Sequence, residues 1–112
     1  MLITRQGTIK RTALSAYANP RRAGIIAIAL EKGDETIQAH ITDGKQELLL
    51  LTRQGKAIRF QEEQVREVGR SARGVRGMRL GKGDAVIGCE LVRKDATLLT
   101  VTSLGFGKRT KT

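Results

Sequence analysis

One short phrase occurs twice in this chain. Thr4-Arg5-Gln6-Gly7 and Thr52-Arg53-Gln54-Gly55 are identical, and an arginine (Arg11, Arg59) follows each glycine by four residues. The two glycines lie 48 residues apart. Downstream, RAGIIAIALEKGD (22–34) aligns with ARGVRGMRLGKGD (72–84) at an offset of 50. A loop in 12–23 and 60–73 absorbs the two-residue slip. At the same offset Ile37 matches Ile87, and LLLLT (48–52) matches LLTVT (98–102). A degenerate third copy, TSLGFGKRT (102–110), then begins, with Gly105 four residues before Arg109. Self-similarity at this period suits a propeller blade or related array, in which each unit packs on its neighbours. The expected organisation is a repeat at 1–50, a second at 51–100, and the start of a third at 101–112.

Charge comes next. The 112 residues carry 21 Lys+Arg against 11 Asp+Glu, a net charge of +10. Such an excess on a small chain predicts a polyanionic partner. No long amphipathic helix is visible to lie on acidic membrane, so nucleic acid is favoured. Tyr17, Phe60 and Phe106 are the only aromatics. Single-strand binders stack bases on aromatic rings, so this surface is aimed at phosphates. The longest apolar run, Gly24 to Leu30, has seven residues, far short of the ~18 a membrane helix needs. The N-terminus lacks a signal peptide pattern. A single cysteine, Cys89, cannot make an internal disulfide and fits a reducing compartment. It reads as a small buried apolar residue. His40 has no second histidine, cysteine cluster or serine partner, so no metal, cofactor or nucleophilic site is expected.

Inside each period the pattern is strand-like. LLLLT and LLTVT are short apolar runs without helical spacing. The triplets Arg5-Gln6-Gly7, Arg53-Gln54-Gly55 and Ser103-Leu104-Gly105 suit three-residue hairpin loops closed by a left-handed glycine. Glu31-Lys32-Gly33-Asp34 and Gly81-Lys82-Gly83-Asp84 predict a second turn in each unit. Asp34, Asp84 and Asp43 are turn residues, and no phosphate-loop spacing accompanies the glycines. GIIAIAL (24–30) alternates as a strand, with Ile26, Ile28 and Leu30 on one face. In the second unit Arg76, Met78 and Leu80 take that face. Ala27 and Gly77 share one position, so a strand or a duplex packs closely there. The one helical turn expected is Gln61 to Arg66. The fold class is all-β, with blades of four short antiparallel strands.

These residues resemble the C-terminal domain of the A subunit of DNA gyrase and of its topoisomerase IV counterpart. The resemblance rests on QGTIKRTALSAY (6–17), GKAIRFQEEQVR (55–66), GRSARGVRGMRLGKGDAVIG (69–88) and GFGKRT (105–110). It implies a β-pinwheel whose blades share strands, and a basic rim that bends duplex DNA. It also implies a non-catalytic part of an ATP-dependent type II topoisomerase, cytoplasmic and nucleoid-associated in bacteria. The family's glycine-rich basic box is absent; Pro20-Arg21-Arg22-Ala23-Gly24-Ile25-Ile26 stands at its place. Chiral wrapping that drives supercoiling is therefore not carried over.

The basic positions recur in repeat-equivalent sets, which predicts phosphate contact at regular spacing. The expected DNA-binding residues are Lys10, Arg11, Arg21, Arg22, Lys56, Arg59, Arg66, Arg70, Arg73, Arg76, Lys108 and Arg109. Phosphate contacts carry no base code, so sequence-independent binding is expected. A different expectation is self-assembly. Residues 2–11 and 100–109 occupy the same phase of the repeat, so chains could associate head to tail into a ring or an open array. The remaining partner is the rest of the gyrase polypeptide, if the chain is an excised or engineered piece, as its start in mid-repeat suggests. A structured RNA partner is a rival that competition between duplexes separates.

Overall fold

The computed structural model describes residues 1–111. The protein is all-β: nine short strands and two 3-10 turns make up its regular structure among those residues. Three hairpins follow one another along the chain. β1 (Leu2–Thr4) turns into β2 (Thr8–Lys10), β4 (Glu47–Thr52) into β5 (Ala57–Gln61), and β8 (Thr97–Val101) into β9 (Gly107–Lys111). Between them lie β3 (Thr36–Ala39), β6 (Val75–Arg76) and β7 (Val86–Leu91). Every named pairing is antiparallel.

The repeated phrase builds the hairpin corner. Gly7, Gly55 and Gly105 hold φ of +91°, +88° and +89°, the left-handed region that glycine enters without a Cβ penalty. Each glycine amide donates to the threonine carbonyl three residues back, at 3.0–3.1 Å. Each threonine hydroxyl accepts the amide of the residue after the glycine: Thr8 on Thr4, Lys56 on Thr52, Phe106 on Thr102. Threonine and glycine are thus the two letters the turn needs, and they are the two that survive in the third copy.

Arginine and glutamine do something else. The Arg5 guanidinium donates to the Gly33 carbonyl at 3.0 Å, and Arg53 does the same to Gly83 at 2.7 Å. The Gln6 and Gln54 amides donate to the carboxylates of Asp34 and Asp84 at 2.9 and 3.0 Å. Each corner is therefore clasped to the Lys-Gly-Asp turn of its own repeat. The phrase and the turn recur together because they touch.

The sheets cross the repeat boundary. The first has the order β3-β1-β2-β6, so its outermost strand comes from the second repeat. The register sets Ile9 opposite Val75 and Thr8 opposite Arg76. The second sheet, β5-β4-β7, has the same inner strands without an outer fourth. The third is β8-β9 alone. Sheets one and two meet through Ile3 and Ile9 on one side and Leu48 and Leu50 on the other, with Val86, Cys89, Met78 and Val65 completing the core. The Val86 amide donates across to the Arg5 carbonyl at 2.8 Å, and the Cys89 amide to the Gln38 side chain at 2.7 Å. The Cα radius of gyration, 14.9 Å, exceeds the roughly 13 Å of a compact domain this size, as a row of sheets requires.

Two expectations are corrected. Segment 24–30 forms no strand; among the described residues no strand pairs with it. Its counterpart is a strand only over Val75–Arg76, and its first face splits: Met78 is buried while Arg76 is exposed. Alternation in sequence cannot make a strand without a ladder partner. The expected blade of four short antiparallel strands stands in the first sheet, which takes its outermost strand from the second repeat; among the described residues the second sheet has three strands and the third two. The helical turn narrows to a 3-10 turn at Glu62–Gln64, and another, not expected, lies at Leu14–Tyr17. The close packing at Gly77 is settled: a Cβ there would stand 2.9 Å from the Ile9 side chain. The neighbour is a strand.

Two measurements probe these contacts. Gly74 has φ +99° and a Cβ on it would meet the Ile9 carbonyl at 2.5 Å, whereas Gly24, its counterpart, has φ +85° and open space. Gly74→Ala is expected to cost about 1–3 kcal/mol in urea melts, and more than Gly24→Ala in the same chain. The Asp84 carboxyl is desolvated, which alone would raise its pKa. The Gln54 and Ala85 amides, the Thr52 hydroxyl and the Lys56 charge outweigh that and lower it. With the native pKa below the unfolded one, the unfolded chain binds the proton first as pH falls. The stabilisation is present above about pH 4 and is lost as pH falls through the native value. Asp84→Asn is expected to flatten this acid limb when melting temperature is followed against pH.

Candidate nucleic-acid interface

β6 forms the outer edge of the first sheet, and both of its residues are exposed. Arg70 and Arg73 precede it, Arg76 is its second residue, and Arg79 follows. Arg76 and Arg79 are exposed and enter no ion pair among the described residues. Arg73 is exposed but spans to Glu31, Nη1 to Oε1 at 2.7 Å. Arg70 is half-buried, and its carbonyl accepts from the Lys10 ammonium. A groove of about 370 Å³ runs beside β6, lined in part by Arg73, Arg76, Glu31 and Asp34.

The other expected contacts are scattered. Arg21 and Arg22 are exposed on the turn closed by the Gly24 amide on the Arg21 carbonyl, 2.9 Å. Lys56 and Arg66 are exposed on the second repeat, and Lys108 and Arg109 on β9. Arg59 is held by both oxygens of Glu47, with Nη2 to Oε2 at 2.7 Å. That pairing raises the guanidinium pKa and lowers that of the carboxyl. Arg11 is half-buried with its Nε unpartnered, and its carbonyl accepts the Val68 amide at 2.9 Å.

Lys10 is removed from the set. It is 1% exposed. Its ammonium donates to the Ala27 carbonyl at 2.6 Å and to the Arg70 carbonyl. Desolvation, then the charge of Arg70, lowers its pKa. Sequence alone groups Lys10 with Lys108 because both follow the hairpin glycine by three. The first is covered by segment 24–30 and the Arg70 loop; the second lies on an open strand.

Several cations escaped the sequence pattern. Arg79 sits on the alternate position to Gly77, and Lys32 and Lys82 occupy equivalent places in the two Lys-Gly-Asp turns. Repeat equivalence was the signal that could have found Lys32 and Lys82; the counterpart of Arg79 is Ala29. Arg93, Lys94 and Lys111 line a cleft of about 610 Å³ with Arg59, Glu47 and Asp95. No periodic signal marks that cleft, since it joins the second and third sheets. Among the described residues no group of three or more His, Cys, Asp or Glu could hold a metal ion. His40 donates from Nε2 to the Cys89 carbonyl at 2.7 Å. Burial pushes the Cys89 thiol up to about 12, so that thiol is not a nucleophile near neutrality. Among the described residues no helix is long and apolar enough to cross a membrane.

Short antiparallel sheets in sequence, sharing strands between repeats and carrying cations on their outer edge, define a repeat protein of the β-propeller type. The chain belongs to the DNA gyrase C-terminal domain, beta-propeller family, whose profile matches residues 1–43, 46–93 and 96–112. It is 50% identical over 109 residues to the DNA gyrase A protein of Pseudomonas aeruginosa, and 44% identical over 109 to that of Escherichia coli. In both cases 97% of this chain aligns with 12% of the relative, so it spans about one eighth of their length. A crystal structure of the C-terminal domain of DNA topoisomerase IV superposes with a TM-score of 0.93 at 36% identity, over 98% of this chain and 35% of that one. A DNA gyrase A C-terminal domain superposes at 0.84 and 32%, over 96% and 36%.

The burial of Lys10 has a direct readout. On a heparin column Lys10→Gln is expected to elute at the salt concentration of the parent chain. Arg76→Gln, which removes an exposed edge cation, is expected to elute earlier.

Proposed function

We propose that this chain is a non-catalytic, sequence-independent duplex-DNA-binding and DNA-bending part of a gyrase-like type IIA topoisomerase. The observation that carries this is the outer edge of the first sheet. There the strand borrowed from the second repeat brings Arg76 and Arg79, with Arg73 beside them, to an exposed rim. The net charge of +10 supplies long-range attraction. Arg21, Arg22, Lys56, Arg66, Lys108 and Arg109 extend the basic surface, and the Arg73–Glu31 pair yields to phosphate at little cost because exposed pairs are weak. Arg70 and the paired Arg59 contribute mainly to the local potential, as does Arg11. The site of action is the bacterial cytoplasm, on the nucleoid. The basic box missing from 20–26 limits the proposal to binding and bending.

A gel shift with unrelated duplexes across a salt series tests it. If roughly six phosphates are neutralised, log K falls against log salt with a slope of about −5. Curved or flexible duplexes are expected to bind more tightly than stiff ones, because bending them costs less. No binding at low salt, or tight binding indifferent to salt, overturns the proposal. Preference for duplex RNA in competition would move it to another nucleic acid.

A second reading is favoured by one observation: the outer edges of β5 and β9 carry no strand from the described residues. It is head-to-tail self-association, with further chain of the same repeat type completing those sheets. Light scattering over a concentration series tests it, and a strict monomer at high concentration removes it.

A further inference from the structure

Resting on the duplex-bending reading, we infer that the buried Lys10 is a positioning residue for DNA bending. It ties segment 24–30 of the first repeat to loop 69–74 of the second, and so fixes where the arginines of that loop stand against the rim. Lys10 is 1% exposed and is itself withdrawn from phosphate. Its ammonium donates to the Ala27 carbonyl at 2.6 Å and to the Arg70 carbonyl. One acceptor belongs to each repeat.

The path of the loop shows what this tie holds. Before the loop, the Val68 amide donates to the Arg11 carbonyl at 2.9 Å; after it, β6 pairs with β2. Between those points Lys10 holds Arg70, and the Ala29 amide donates to the Ala72 carbonyl at 3.1 Å. Both holds lead to the same segment, because the other acceptor of Lys10 is Ala27. The Tyr17 hydroxyl donates to that same Ala27 carbonyl at 3.2 Å. The lysine stem is also the floor under the loop: a Cβ on Gly74 would stand 3.0 Å from the Lys10 Cβ. Arg73 thus sits between two held points, the Ala72 carbonyl and Gly74, with Arg76 on the strand that follows.

Stability alone does not call for a lysine here. Ile58 holds the equivalent place in the second repeat and packs against the core. Enclosing an ammonium costs solvation, which carbonyl contacts must return. What the ammonium adds is three donors on one atom, so that one side chain grips carbonyls of two repeats at once. Bending needs such a grip. A cation on loose backbone neutralises a phosphate wherever the duplex lies, whereas curving a duplex costs energy that contacts held in place must offset. Binding to a flexible polyanion such as heparin makes no such demand, so Lys10 is silent there and felt on a bent duplex.

Paired measurements separate bending from binding. Duplexes with a donor and an acceptor dye at their ends report the bend by energy transfer, and gel shifts on a flexible and a stiff duplex report affinity. Lys10→Met keeps the length of the side chain and removes its donors. It is expected to keep the parent affinity for the stiff duplex within about twofold and to lose at least about threefold on the flexible one. The energy transfer is expected to fall toward that of the free duplex. Val86→Ala, a truncation of the buried core on β7, controls for lost stability: it is expected to lower the urea midpoint and to keep the bend. If Lys10→Met does not fold, Ala29→Pro takes its place, since it removes the bond to the Ala72 carbonyl and leaves the buried ammonium; the same loss of bend is expected. Equal bending by the parent chain and the folded variant, or an equal loss in Val86→Ala, overturns the inference and leaves the bending reading standing. A parent chain that does not bend duplex DNA removes that reading, and the inference with it.

Discussion

The pairing of β6 on β2 is the contact on which the rest of this structure depends. A hairpin of two three-residue strands is too small to persist alone in water. Here it gains β3 on its inner side and β6 on its outer side, and β6 belongs to the next repeat. The same crossing brings Gly77 onto Ile9, Met78 into the core and Val86 onto the Arg5 carbonyl. Folding of one repeat is therefore coupled to folding of the next, as in other one-dimensional arrays.

That coupling also sorts the cations. A strand at an outer edge presents its side chains and one set of backbone groups to solvent, so Arg76 is exposed and enters no ion pair among the described residues. A cation beneath the segment that crosses behind the sheet, such as Lys10, is enclosed and must direct its donors to carbonyls. The corner arginines Arg5 and Arg53 are a third case: exposed, yet each holds a glycine carbonyl. One residue type thus serves as rim charge, buried anchor or turn clasp. The difference lies in what the neighbouring repeat covers.

Repeat, corner and class were legible in the sequence. Threonine and glycine at fixed spacing dictate the hairpin turn through local backbone geometry, and local geometry is written in local sequence. The Lys-Gly-Asp turns were visible for the same reason. Their clasp onto Arg5 and Arg53 was not, because it joins residues 28 to 30 apart. Segment 24–30 has the alternation of a strand and is not one, since a strand needs a ladder partner as well as a pattern. Which sheet β6 completes, which lysine is buried and which arginines reach the rim were decided by tertiary structure. Each depends on how one repeat lies against the next, and a single repeat's residues do not contain that information.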